Sequence, residues 1–255
     1  MPLEKNKVYF ISDFHLGIPD HDSSLEREKL LVQWLDMAWK DAAEIFLMGD
    51  IFDFWFEYKT VVPKGYVRFL GKLAEIADSG VPVHVFRGNH DLWAFNYLEK
   101  EIGVKLYRKP IIREMYGKVF YLAHGDGLGP GDRSYKFLKK VFEFRPNQFL
   151  FSWLHPDLGA AMGNYFSRRS RLAKINYAAV QEQYFEREKE ILFHYARKKA
   201  SELPNVDFFV FGHRHIPLQE PVTDKANLII LGDWISHFSY GVFENGVFEV
   251  RTFDI

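Results

Sequence analysis

Five short segments carry aspartate, asparagine or histidine where a metal ion could be held. They are Asp13-Phe14-His15, Gly49-Asp50-Ile51-Phe52-Asp53, Gly88-Asn89-His90-Asp91, His124-Gly125-Asp126 and Gly212-His213-Arg214-His215. Each alone has an ordinary structural explanation, since strand-end Asp and Asn residues commonly make turns or cap helices. Together they form a pattern. Each follows an apolar run of strand length, and most contain a glycine that lets the backbone turn sharply. Asp, Asn and His without Cys suit divalent cations of intermediate hardness, such as Mn²⁺, Fe²⁺ or Zn²⁺. Asp13, His15, Asp50, Asn89, His124, His213 and His215 are too many donors for one ion and suit two ions sharing a carboxylate. Such a pair, ~3.5–4 Å apart, is common apparatus for phosphoester hydrolysis: it binds a phosphoryl oxygen, lowers the pKa of a bridging water and stabilises charge at phosphorus. His90 is left as the acid or electrophile, oriented by a carboxylate such as Asp91.

These segments need a scaffold that brings strand ends to one edge. Residues 8–11, 45–48 and 83–86 read as strands, separated by helical periodicity over 25–39 and 66–77. Strands alternating with helices predict βαβ units and a parallel sheet, where functional groups collect beyond the C-terminal strand ends. Residues 111–115 and 119–122 then read as a hairpin, 177–199 as one long charged helix, and 207–211 as a further strand. Residues 228–231 and 242–251 read as hairpin strands, the latter around the Asn245-Gly246 turn signal. The chain of 255 residues reads as a single domain, 1–255, with 133–200 as a helical insertion.

Composition removes several alternatives. With no cysteine there is no disulfide framework, thiolate metal site or thiol nucleophile. A net charge of −1 argues against a general nucleic-acid binder. No run approaches the roughly 18 apolar residues of a membrane span, and the N-terminus passes directly into a strand pattern, so a cytoplasmic location is expected. P-loop, dinucleotide, serine-hydrolase and zincin motifs are absent. Charge is nevertheless uneven: residues 133–174 hold nine Lys/Arg against two Asp/Glu, together with nine aromatics. His84, within an apolar run, reads as core, and Trp55 and Phe56 read as packing. His21, His155 and His194 read as solvated or capping, while His237 lies close enough in sequence to Trp234 to approach the site.

In order and spacing, the five segments resemble the calcineurin-like metallophosphoesterase superfamily over roughly residues 8 to 251. The resemblance implies an α/β fold: a four-layer αββα sandwich of two mixed sheets, with metals at one edge. It places Asp13, His15, Asp50 and His215 on one ion, and Asp50, Asn89, His124 and His213 on the other. Within the superfamily the chain is similar to the UDP-2,3-diacylglucosamine diphosphatases of lipid A biosynthesis, in their Bacteroidetes form. The stretch from His124 to Asp132, the insertion after it and Leu231-Gly232-Asp233-Trp234 carry that likeness.

This likeness implies two divalent ions, Mn²⁺ foremost, and cleavage of a sugar-nucleotide lipid to lipid X and UMP by a peripheral enzyme of the inner membrane's cytoplasmic face. Asn89, His90 and Asp91 are its catalytic candidates; Asn89, His90, Asp132, Arg169 and Arg171 are its substrate contacts. One position departs from the better-known members, which have Arg where this chain has His90. Arginine clamps a diphosphate as a fork, whereas histidine can also transfer a proton. The insertion's aromatics suit acyl chains and its arginines suit phosphate or an anionic surface, although packing of a small helical subdomain also accounts for them. A soluble phosphoester and a non-enzymatic scaffold are the competing functions; the sequence points to no nucleic-acid or protein partner.

Overall fold

The computed structural model describes residues 5–131, 133–181 and 190–254, without the side chains of 170–181. From the N-terminus run β1 (Lys7–Ile11), α1 (His21–Trp39), β2 (Ala42–Leu47), α2 (Val67–Asp78), β3 (Val83–Phe86), α3 (Tyr97–Glu101) and β4 (Lys105–Tyr107). The hairpin β5 (Ile111–Met115) and β6 (Lys118–Leu122) leads into α4 (Arg133–Glu143), α5 (Arg145–Ser152) and α6 (Pro156–Gln181). The chain closes with α7 (Ile191–Glu202), β7 (Phe208–Phe211), β8 (Pro217–Pro221), β9 (Asn227–Leu231), β10 (Ser239–Glu244) and β11 (Val247–Thr252).

Two mixed sheets result, in the orders β11-β10-β1-β2-β3-β4 and β5-β6-β7-β9-β8. The joins β1–β2, β2–β3 and β3–β4 are parallel, as are β6–β7 and β7–β9. Side-chain alternation along each strand separates three apolar layers. On β1, Tyr9 and Ile11 face outward to Trp34 and Leu35 of α1 and to Phe69 and Leu73 of α2. Val8 and Phe10 face inward and meet Phe120, Phe208 and Phe248 between the sheets. Phe209 and Phe211 point away from that core to Leu192, Phe193 and Ala196 of α7. Burial on both faces explains why β1, β3 and β7 read as unbroken apolar runs. The four-layer αββα sandwich predicted above is therefore the observed architecture.

Local departures have local causes. Helix α1 begins at His21, four residues before the apolar stripe, because Asp20 caps it by accepting from Ser23 N at 2.8 Å. The single helix expected over 177–199 is corrected: Glu190, with extended backbone, is the N-cap of a fresh helix α7 and accepts from Leu192 N. Residues 182–189 lie outside the described residues. Strand β8 escaped the sequence reading because proline stands at both its ends, a composition tolerated at a sheet edge.

Candidate metal centre and active site

Because β1, β2, β3, β6 and β7 run the same way in their sheets, the five polar segments leave the sandwich along one edge. The backbone there is forced into unusual conformations. Asp13, His15, Asp50, His213 and His215 all hold positive φ, between 46° and 69°. Non-glycine residues rarely adopt this region, and it persists where surrounding structure over-determines it. Close approach does the rest: a methyl at Gly49 would meet the His124 ring, and one at Gly88 would overlap the Asp50 carboxylate. Buried Arg27 of α1 secures the first loop by donating to the carbonyls of Phe14, His15 and Ile18 at 3.0–3.3 Å.

Two donor groups meet around one carboxylate oxygen. Asp13 Oδ2 accepts from Ser12 Oγ (2.6 Å) and His213 N (2.8 Å), which turns Oδ1 toward His15 Nε2 (3.6 Å) and His215 Nε2 (3.5 Å). Asp50 Oδ2 stands 3.7 Å from the same His15 nitrogen and 3.3 Å from His124 Nε2. In the groups Asp13–His15–His215 and Asp50–His124–His213, the donor atoms lie within 4.8 Å of one another. Asp50 Oδ1 is occupied by the backbone N of His90 at 2.9 Å, leaving Oδ2 to face both groups.

The imidazoles are held with the right nitrogen inward. His124 Nδ1 donates to Met48 O at 2.8 Å and His215 Nδ1 to Asp233 Oδ2 at 3.1 Å, so each presents Nε2. Three atoms are then left over. Asp13 Oδ1, Asn89 Oδ1 and His124 Nε2 are buried without a hydrogen-bond partner, a costly state for polar atoms unless a ligand compensates it. Orphaned donors of O and N type, facing a shared carboxylate, fit a pair of divalent cations. Electrostatics agree. Burial alone would raise Asp50, but His124, His90 and His15 around it hold its carboxyl well below the ordinary range. Asp13 stays above that range because its burial outweighs the histidines.

His90 is anchored differently from expectation. Its Nδ1 donates to Asp53 O at 2.9 Å and to Ser167 Oγ at 3.0 Å, while Ser167 Oγ–H donates to Asp53 Oδ2 at 2.8 Å. Asp53 Oδ1 lies 3.6 Å from His90 Nδ1 and 3.8 Å from His15 Nδ1, so one carboxylate stands behind both rings. Asp91 is thereby corrected as the orienter. Its oxygens accept from Gly88 N and Ile51 N, fixing the turn that carries Asn89, and burial followed by the Asp50 charge pushes its carboxyl up to about 6.

The remaining candidates separate cleanly. His237 is tied to Asp233, whose Oδ1 accepts from its backbone N at 3.1 Å. His84 is core, bonded to Glu44 Oε2 at 2.8 Å and stacked on Phe46. Arg169 is exposed on α6, with Tyr165 OH 3.5 Å from its Nη1. Asp132 and the side chain of Arg171 lie outside the described residues. Sequence reasoning quoted Asp53 and Asp233 without giving either a role, and missed Ser167. The spacing of Gly159, Gly163 and Ser167 was the available signal for Ser167: four-residue steps put small residues on one helical face, and methyls at the glycines would overlap Tyr58 and Phe54.

A family model described as calcineurin-like phosphoesterase matches residues 6–217. A Porphyromonas gingivalis protein named UDP-2,3-diacylglucosamine hydrolase is 41% identical over 259 residues, covering 98% of this chain and 98% of its own. One of the same name from Vibrio vulnificus is 26% identical, covering 90% of each. Among solved structures, the E. coli phosphoesterase Yfce aligns over 96% of this chain and 92% of its own at 16% identity, with a TM-score of 0.43, too weak a likeness for residue-level conclusions. With the model spanning most of the sequence and a relative at 41% identity along nearly all of it, this chain belongs to the calcineurin-like phosphoesterase family.

Proposed function

We propose that the chain is a metal-dependent hydrolase cleaving the diphosphate of UDP-2,3-diacylglucosamine to lipid X and UMP, with Mn²⁺ as its working ion. The observation that carries the hydrolytic reading is Asp50 Oδ2, shared between two groups of inward-facing donors. Asp13, His15, Asp50 and His215 would hold one ion, and Asp50, Asn89, His124 and His213 the other. When bound, the pair supplies Lewis-acid polarisation of a phosphoryl oxygen and a nucleophile at neutral pH.

The chain's own residues do the rest. Asn89 and His90 lie side by side on a turn fixed by Asp91, positioned to meet charge that grows on the phosphoryl oxygens. His90 Nδ1 is committed to Asp53 and Ser167, which assigns proton transfer to Nε2. Arg in that position would only clamp; histidine can deliver a proton to the departing oxygen.

The insertion supports a lipid substrate. Helices α4 and α5 bury no side chain, and Phe149 and Trp153 are 62% and 77% exposed. Exposed apolar patches of this kind mark interaction surfaces. Beside them the chain is basic, a combination suited to acyl chains and anionic headgroups and to peripheral attachment at the inner membrane. No helix among the described residues is long and apolar enough to cross a membrane. The decisive assay offers Mn²⁺-loaded protein UDP-2,3-diacylglucosamine beside soluble diesters and reads products by mass. Lipid X and UMP are expected; turnover of soluble diesters alone removes the lipid assignment.

A further inference from the structure

Helix α6 of the insertion turns one narrow face to the donor loops. Gly159, Gly163 and Ser167 lie along it at four-residue steps. A methyl at Gly159 would overlap Tyr58 OH and one at Gly163 the Phe54 ring, so the helix sits directly on the chain that follows Asp50 and Asp53. Arg168 Nη2 adds a tie to Pro19 O at 3.1 Å, on the chain that follows Asp13 and His15. Ahead of α6, Phe151 packs on Trp93 with ring centroids 4.7 Å apart, and Trp93 Nε1 donates to Phe142 O at 2.9 Å. Trp93 lies just beyond the turn that carries Asn89 and His90. The insertion is thus seated against the continuation of three donor segments.

Ser167 ends the inner face of α6. Residues 164–166 and 168–169 around it are exposed, whereas Ser167 is 8% exposed. A buried serine within a helix ordinarily spends its hydroxyl on the carbonyl four residues earlier. Here the hydroxyl serves two groups from other loops: Oγ–H donates to Asp53 Oδ2 at 2.8 Å, and Oγ accepts from His90 Nδ1 at 3.0 Å. His90 Nδ1 also donates to Asp53 O at 2.9 Å. That carbonyl can only accept, so it suffices to fix a proton on Nδ1. What the hydroxyl adds is direction. A single hydrogen bond leaves the ring plane adjustable; a second partner, itself held by Asp53 Oδ2, fixes the plane and with it the line along which Nε2 points.

We propose that Ser167 is a positioning residue: its hydroxyl aims the His90 imidazole, so the insertion completes the proton donor as well as serving the lipid. The assignment rests on the reading of His90 as that donor. In the step concerned, the imidazolium gives its Nε2 proton to the departing oxygen, forming the new O–H bond, and keeps the proton on Nδ1.

Kinetics of metal-loaded full-length protein on bis-p-nitrophenyl phosphate test the assignment on a substrate with no acyl chain. In Ser167→Ala, kcat is expected to fall about tenfold and KM to stay within about twofold, with bound metal unchanged, because a misplaced catalytic group costs rate up to ~10²-fold per Å. The double variant His90→Gln/Ser167→Ala should be no slower than His90→Gln alone, since an aiming group then has nothing to aim. Wild-type kcat in Ser167→Ala overturns the proposal. So does the same loss repeated in the His90→Gln background, or a loss confined to KM, which would put the hydroxyl on the substrate. Crystal structures of the wild-type and Ser167→Ala proteins read the ring without turnover. In the variant the His90 ring should be turned or split between two orientations; a ring held as in wild type overturns the proposal. A wild-type protein that turns over no phosphoester, with the ring displaced in the variant, removes the hydrolase reading and keeps Ser167 as the group that orients His90.

Discussion

The edge of the sandwich that carries the donors and the helical insertion beside it solve opposite physical problems. At the edge, polar side chains are almost wholly buried: Asp13 and His15 are 0% exposed and Asp50 is 1% exposed. Each is pinned by backbone or side-chain hydrogen bonds, and five donors accept a strained backbone to face inward. In α4 and α5 no side chain is buried, and Phe137, Phe149 and Leu150 face out, although Phe151 packs on Phe56 and Trp93. The first region spends stability on geometry, as sites that must hold charge in fixed positions do. The second spends nothing on a core of its own and keeps an apolar surface available. On the reading proposed above, chemistry and substrate capture are thus separated in space, and substitutions should separate them as well.

The largest effect is expected at the shared carboxylate. Asp50→Asn should reduce hydrolysis of bis-p-nitrophenyl phosphate by at least the ~10²–10⁴-fold assigned to a single catalytic proton donor. Its thermal midpoint should move by less than about 4 °C, and elemental analysis should show bound metal falling with activity. Near wild-type turnover would break the idea that both groups act through one oxygen.

On the proposed reading, in which its side chain works on the substrate and not on the ions, His90→Gln should cost about 10²-fold with metal content retained. Asp233→Asn removes the anchor behind His215 and should weaken metal binding about 10–100-fold, read by competition with a chelating dye. On the insertion, Phe149→Ser/Trp153→Ser should lower turnover of the diacylated substrate about tenfold, leave the soluble diester unaffected and shift stability within roughly 0.5 kcal/mol. Equal losses on both substrates would erase the separation of the two regions.

The smallest effect concerns stability alone. Burial would raise Glu44, but His84 and Arg113 bonded to it hold its carboxyl below the ordinary value. A depressed folded-state pKa means the contribution is complete above the unfolded value and fades as pH falls through the folded one. Glu44→Gln should therefore narrow the stability difference from wild type on acidification, seen in urea midpoints between neutral and acidic pH.

The edge was legible in the sequence because its signals are local. An apolar run ending in Asp, Asn or His beside glycine states both the strand and the position of the donor. Asp53 was visible in its segment, yet nothing local says that its carboxylate stands behind His15 and His90; that follows from the packing of three loops. Ser167 comes from a helix more than a hundred residues away and has no motif beyond two glycines at four-residue steps. Asp91 misled because adjacency in sequence suggested adjacency in space, whereas its turn aims the carboxylate at backbone N–H groups.

Helix α6 joins the two regions. Gly159 and Gly163 let it lie directly against Tyr58 and Phe54, and one turn further on Ser167 touches His90, next to outward-facing Phe166. At these two positions the helix brings its own backbone, without side chains, against the Tyr58 and Phe54 rings. A tilt of this helix would therefore shift the hydroxyl that steadies the His90 imidazole together with the aromatic face outside.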